Sequence, residues 1–206
     1  MSSIASQIST LPVMESFYTI QGEGYHSGKP AYFIRLAGCD VGCVWCDVKE
    51  SWTTSENQYQ TVDTIVEGAL QYPVGIVVIT GGEPCMYNLE PLTTKLHEKG
   101  FRIHLETSGA YSVKGNLDWI CVSPKKFKSP LSEVLILANE LKVVIFHPSD
   151  FAWAEKNALS CEANTHLFVQ PEYDKMNQLM PAVVDFVKSN TNWRISLQSH
   201  KFIGIP

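Results

Sequence analysis

Seven short apolar runs, at 31–37, 75–81, 101–106, 117–123, 141–146, 166–170 and 193–198, alternate along the chain with stretches of helical periodicity. A pair of parallel strands needs a crossover of roughly a dozen residues or more, and a helix is its usual filling. Segment 61–72 sets Val62, Ile65, Val66, Ala69 and Leu70 on one stripe, and 89–99 carries Lys95, His97 and Lys99 in its last turn before Gly100, a normal helix stop. Segment 175–189 places Leu179, Val183 and Val187 on one side, with Met180 and Val184 beside them. The expectation is an α/β chain with a parallel sheet or an incomplete parallel β/α barrel. At 206 residues and 45% hydrophobic composition one core suffices, so residues 1–206 are read as a single domain.

Composition excludes several function classes. No run approaches the roughly 18 consecutive apolar residues of a membrane span, so no membrane partner is expected. The start "MSSIASQISTLP" lacks the basic flank and apolar core of an export signal, which predicts a cytoplasmic protein. In that reducing compartment six cysteines do not read as a disulfide framework; three in one loop read as metal ligands. With a net charge of −5 and dispersed Lys and Arg, no direct nucleic-acid partner is expected, because phosphate binding needs a basic stripe. A small-molecule substrate fits better.

Two runs depart from the continuous apolar character of a doubly buried parallel strand. In "FRIHLE" (101–106) Arg102, His104 and Glu106 alternate with apolar residues, and in "WRISLQSH" (193–200) Arg194, Ser196, Gln198 and His200 do the same. Either these are edge strands facing solvent, or their polar faces look into a cavity within a curled sheet. The unusual residues share a second property. Cys39 to Cys46, "TGGEPC" (80–85), "ETSG" (106–109), "SPK" (123–125), "QPE" (170–172) and "QSHKF" (198–202) each follow an expected strand end. Parallel α/β folds assemble active sites at the carboxyl ends of their strands, so these stretches predict one composite site.

Cys39, Cys43 and Cys46 are spaced CxxxCxxC. Structural zinc needs four ligands, so a zinc site stays open only if Cys85, Cys121 or Cys161 closes the tetrahedron; otherwise those three read as small buried apolar residues. Three thiolates on a 4Fe-4S cube leave one iron without a protein ligand, the vacancy a catalytic metal needs. The spacing, with "TGGEP" (80–84), resembles the radical S-adenosylmethionine (SAM) enzymes. That resemblance implies a partial parallel barrel of the radical SAM type with an additional C-terminal strand and tail, and SAM chelated to the open iron. It implies that Gly81 and Gly82 admit the methionyl end, that Glu83 fixes that backbone or is a plain turn residue, and that Ser108, Ser123 and Gln170 serve the nucleoside. One-electron cleavage of SAM then yields a deoxyadenosyl radical.

"FYTIQGEGYHSGKPAYFIRLAGCDVGCVWCD" (17–47), "VVITGGEP" (77–84), "VSPK" (122–125) and "RISLQSHKFIGIP" (194–206) resemble, within that superfamily, the 7-carboxy-7-deazaguanine synthases of queuosine-precursor biosynthesis. Gln21 and Glu23 suit a pterin edge, although "QGEG" alone also reads as a glycine turn. Arg35, in an apolar strand, needs either a substrate carboxylate or a structural salt bridge. Gln198, His200 and Pro206 are the implied substrate residues of the last strand and tail; Lys125 serves the cofactor, the substrate or the sheet rim. The implied reaction converts 6-carboxy-5,6,7,8-tetrahydropterin to 7-carboxy-7-deazaguanine with loss of ammonia, and implies magnesium, an external electron donor such as flavodoxin or ferredoxin, and a homodimer. One departure stands out: the family commonly reads Cys-Asp-Thr, its threonine hydroxyl contributing to the magnesium site, whereas here Cys46 and Asp47 precede Val48, which has no oxygen for a hard cation. Two rivals remain, a small radical enzyme that activates a partner protein and a non-catalytic zinc-binding domain.

Overall fold

The computed structural model describes residues 9–206. The start of the segment weighed as an export signal lies outside them. Each of the seven apolar runs forms a strand, and neighbours pair in parallel: β2 (Pro30–Leu36), β4 (Ile76–Gly81), β5 (Arg102–Thr107), β6 (Trp119–Val122), β7 (Glu140–Ile145), β8 (His166–Pro171) and β9 (Trp193–Ile195). The expected helices are present as α1 (Val62–Leu70), α2 (Glu90–Glu98) and α5 (Met176–Ser189), joined by α3 (Ser132–Ile136) between β6 and β7 and α4 (Asp150–Ala158) between β7 and β8. In α1 the buried stripe is Val62, Ile65, Val66 and Ala69; Leu70, read as a fifth member, is exposed.

Two strands escape a reading by sequence period. The long β1 (Thr10–Ile20) pairs antiparallel with β2, and the short β3 (Tyr59–Thr61) pairs antiparallel with β1, giving the order β3-β1-β2-β4-β5-β6-β7-β8-β9. β1 hides its period because Pro12 and Glu15 interrupt it and its register shifts between Val13 and Glu15. The last strand is shorter than expected. Pairing stops at Ile195, and residues 199–203 turn into a short helix, α6 (Ser199–Ile203), so Gln198 and His200 belong to the tail and not to a strand face.

The strand period of two divides the sheet's labour. Ile34, Leu36, Ile79, Ile103, Leu105, Leu141, Val143 and Ile145 join one apolar core with helix residues such as Leu92, Leu96 and Val183. Alternating positions, including Arg35, Thr80, Glu106, Lys142, Val144 and Gln170, line a cavity on the other face. β5 therefore resolves the choice for "FRIHLE": it is an interior strand with Glu106 in the cavity. β9 is an edge strand. The β1–β2 turn packs at the starts of the strands, where Tyr25 stacks on Trp119 and His166 at centroid distances of 5.0 and 4.3 Å.

Candidate active site

The three cysteines lie in the loop after β2, and all face the cavity. The loop is pinned at Gly38 N–H to Ser51 O (2.7 Å) and Cys39 N–H to Trp52 O (3.1 Å), and within itself at Cys46 N–H to Cys43 O (3.1 Å). A stack crosses the rim beside it: Lys125 Nζ sits 4.8 Å from the Trp45 ring centre, Trp45 lies 6.4 Å from Phe146, and Lys175 Nζ covers Phe146 at 3.4 Å. Burial pushes the Cys43 thiol up to about 11 against the pull of Lys125, and Cys46 and Cys39 push it further. Burial raises Cys39 too, with Cys46 among the groups that add to it. Thiols that feel one another in this way are neighbours that hold their protons until a metal replaces them.

These residues fit an iron–sulfur cluster. All three are free thiols on one cavity. The remaining cysteines lie elsewhere: Cys85 and Cys121 are buried, and Cys161 at the end of α4 is half-buried, its Sγ 3.6 Å from Asn157 O.

The glycines of "TGGEP" have a cause in the fold itself, beside the one the resemblance implies. Gly81 has φ +138°, and a Cβ there would meet Leu36 O at 2.1 Å; a Cβ on Gly82 would meet Gly38 O at 2.3 Å. They are glycines because this turn presses against the end of β2 and the cysteine loop, where Gly82 N–H donates to Leu36 O and Glu83 N–H to Gly38 O, each at 2.9 Å. Both still line the cavity. Glu83 does not. It is 1% exposed, and its carboxylate accepts from Cys85 N–H (3.0 Å), the Thr107 hydroxyl (2.6 Å), Ser108 N–H (2.8 Å) and the Ser108 hydroxyl. It is a clamp between the ends of β4 and β5, neither a plain turn residue nor a ligand-facing group.

Ser108 faces the cavity with its hydroxyl engaged by Glu83. Ser123 accepts from Lys125 Nζ at 2.7 Å, and burial lowers the Lys125 pKa while Cys43 opposes that shift. Buried Gln170 accepts from the Ser196 hydroxyl at 2.7 Å. Arg35 lines the cavity, yet its Nε–H already donates to Glu15 Oε1 at 2.6 Å across the β1–β2 pair. Charge balance at Arg35 therefore requires no substrate carboxylate.

A closed polar ring forms the wall opposite. Gln21 accepts from Glu23 N–H (3.1 Å) and donates to Glu106 Oε1 (3.3 Å); Lys142 Nζ donates to Glu106 Oε2 (2.9 Å) and Glu23 Oε2 (2.6 Å); Gln198 Nε2 donates to Glu23 Oε1 (2.9 Å). Burial works to raise the Glu23 pKa, but Lys142 and Gln198 bring it down to about 2. The "QGEG" glycines serve close approach: a Cβ on Gly22 would strike His200 Nδ1 at 2.1 Å, and one on Gly24 would strike Glu140 Oε1 at 1.9 Å. Burial lowers the His200 pKa against the pull of Glu23. Pro206 lines the cavity and its O accepts from the Thr19 hydroxyl at 3.2 Å. Asp47 is paired with Lys201 Nζ at 3.1 Å, and Val48 lines the cavity beside it.

The residues that the resemblance assigns to the cluster, the cofactor, the substrate and magnesium thus line one cavity, except Glu83, which buttresses it. Lys142 was missed. Its signal was a lysine inside the apolar run "LKVVIF", and burial of an unpaired ammonium is costly enough that such a lysine demands partners.

Residues 33–122 match the family model of the Radical SAM superfamily. The chain is 52% identical over 196 residues to a 7-carboxy-7-deazaguanine synthase of Flavobacterium psychrophilum, covering 95% of this chain and 93% of that one. It is 35% identical over 221 residues to the enzyme of the same name from Escherichia coli, covering 94% and 98%. The crystal structure of QueE from Escherichia coli superposes with a TM-score of 0.82 at 33% identity, over 93% of this chain and 95% of that one. With one cavity that gathers the polar ring and the three cysteines of the loop at the carboxyl end of β2, this chain belongs to the 7-carboxy-7-deazaguanine synthase family of radical SAM enzymes.

Proposed function

We infer that this chain is a radical SAM lyase that converts 6-carboxy-5,6,7,8-tetrahydropterin to 7-carboxy-7-deazaguanine with loss of ammonia, in queuosine biosynthesis. The observation that carries the reading is the convergence on one cavity of Cys39, Cys43 and Cys46 with Gln21, Glu23 and Gln198 from the far ends of the sequence. Bound, the 4Fe-4S cluster and SAM supply reductive bond cleavage and hydrogen-atom abstraction from the substrate.

The chain's own residues supply position and exclusion. In this reading Cys39, Cys43 and Cys46 hold the cluster. Gly81, Gly82, Ser108, Ser123 and Gln170 border the cofactor, while Gln21, Glu23, Arg35, His200, Gln198 and Pro206 border the substrate. Lys125, beside Cys43 and Ser123, belongs to the cofactor side. Asp47 would be the magnesium ligand, its carboxylate being paired with the Lys201 ammonium. Residues 1–206 act as one domain, a reading supported by a single sheet and core. An external flavodoxin- or ferredoxin-type donor, a homodimer and a cytoplasmic site complete the reading by resemblance; among the described residues no helix is long and apolar enough to cross a membrane.

The test is anaerobic incubation of reconstituted protein with reductant, SAM and the carboxypterin. The deazapurine product is expected by mass. Cofactor cleavage with an intact cluster and no such product would transfer the chain to the protein-activating class.

A further inference from the structure

We propose that Lys142 is the positioning residue of the substrate site, its ammonium holding Glu23 and Glu106 side by side as ionised acceptors for the N–H edge of a 2-amino-4-oxopyrimidine ring. This rests on the function inferred above, since the carboxypterin carries that ring.

Lys142 sits in the middle of β7 between the core residues Leu141 and Val143, is 4% exposed, and borders the cavity. Its two carboxylate partners come from separate elements, Glu23 from the β1–β2 turn at 2.6 Å and Glu106 from β5 at 2.9 Å. A purely structural ion pair is one to one. Here two carboxylates meet one ammonium, so the Glu23–Lys142–Glu106 group carries one net negative charge. The other oxygen of each carboxylate is held by a neutral amide, Gln198 on Glu23 and Gln21 on Glu106. An amide swings aside for an incoming N–H at little expense, whereas the buried ammonium has to stay paired. The ammonium is therefore the fixed anchor and the amides are exchangeable. A ring with a 2-oxo group in place of the 2-amino group sets a lone pair against a carboxylate and is rejected for that reason.

The charged and titratable groups facing Lys142 are Glu106 on β5, Cys121 on β6, Glu140 on β7, Glu23 in the turn, Lys125 after β6 and His200 in α6. Burial raises the Glu140 carboxyl to about 7, with Lys142 opposing and Glu106 reinforcing the shift, so Glu140 is a poor substitute anion at neutral pH. With the Lys142 ammonium removed, burial governs Glu23, and its carboxylate loses protection against protonation.

The experiment compares reconstituted wild type with Lys142→Met, reading KM and kcat for the carboxypterin between pH 6 and 8 with iron content as the control. Wild type is expected to keep a flat KM. Lys142→Met is expected to keep its iron, to raise KM ~10-fold or more at pH 7, and to raise it further as pH falls, approaching tenfold per pH unit below the new Glu23 pKa. Discrimination against a 2-oxo analogue should shrink in the same variant. An iron-replete Lys142→Met with wild-type KM and a flat profile overturns the proposal. Should that variant fail to fold, Glu106→Gln decides, because it keeps the Lys142–Glu23 pair: a raised KM supports the proposal and an unchanged one overturns it. Failure of wild type to form the deazapurine overturns the functional reading beneath it, an outcome distinct from any difference between variants.

Discussion

Glu83→Gln tests whether Glu83 of "TGGEP" is a structural clamp. The buried carboxylate takes four hydrogen bonds, two from the backbone N–H groups of Cys85 and Ser108 and two from hydroxyls, with no cation beside it. Hydroxyls can reverse and accept from the new amide NH2, but a backbone N–H cannot. One N–H is left facing a donor, and the remaining bonds lose their charge. A bond to a charged group contributes about 1.5–3 kcal/mol and a neutral one about 1, so the exchange should destabilise the fold by ~3 kcal/mol. For a chain of this size that corresponds to a melting temperature lower by about 6–12 °C. The measurement is anaerobic thermal unfolding of the reconstituted protein, followed by circular dichroism. A Glu83→Gln protein melting within about 1 °C of wild type would refute the clamp, since such a result requires the four donors to be satisfied elsewhere.

Four further outcomes are expected. Cys43→Ala should abolish the cluster, read by iron content and by loss of the brown absorbance, while circular dichroism retains the α/β signature. Arg35→Ala should weaken substrate handling with iron unchanged; its half-exposed pair with Glu15 contributes no more than ~1 kcal/mol, so unfolding should move little and the change should appear in KM. Acid should loosen the packing of the β1–β2 turn, where His26 lies 4.5 Å from His104 and from Trp119: burial holds both histidines neutral, lowering each to about 4, so stability is complete above pH 6.5 and falls as pH drops toward 4, by up to ~3 kcal/mol per histidine; replacing His104 with Phe should make the fall of denaturation midpoints across that range less steep. With Val48 where the resemblance implies threonine, a chelator should reduce turnover less than it does in a threonine-bearing relative, and complete loss on chelation would refute this.

What the sequence disclosed and what it withheld follow from the range of the forces involved. Strand and helix periods report burial on one face, so all seven parallel strands and the striped helices α1 and α5 were legible, while α2 showed through its stop signal. α4 was not, because among "DFAWAEKNA" it buries only Asp150, Ala154 and Asn157, which make no apolar stripe. The cysteine spacing and the glycine pairs were visible as oddities, but the reason for Gly81 and Gly82 lies in the backbone of β2, a contact that no local pattern encodes. Lys142 was written plainly in the middle of a strand, and its partners Glu23 and Glu106 stand 119 and 36 residues away in sequence. Even so, a lysine in the interior of an apolar parallel strand implies carboxylate partners by its position alone, whatever their distance along the chain.

The tail shows how closely recognition and folding are joined here. A five-residue helix cannot persist alone, so α6 is placed by its tertiary bonds. Those bonds run to the same turn that supplies Gln21 and Glu23 to the cavity: Ser199 donates its N–H and hydroxyl to Gly22 O at 2.9 and 2.8 Å, Gly24 N–H donates to Ser196 Oγ at 2.9 Å, and Gln198 donates to Glu23. Gly22 is a glycine because His200 rests on it. The side chains that present acceptors to the cavity are thus also the seat of the segment that covers it. A longer side chain at position 22 or a shorter one at position 23 should disturb substrate affinity and tail position together, because one set of contacts determines both.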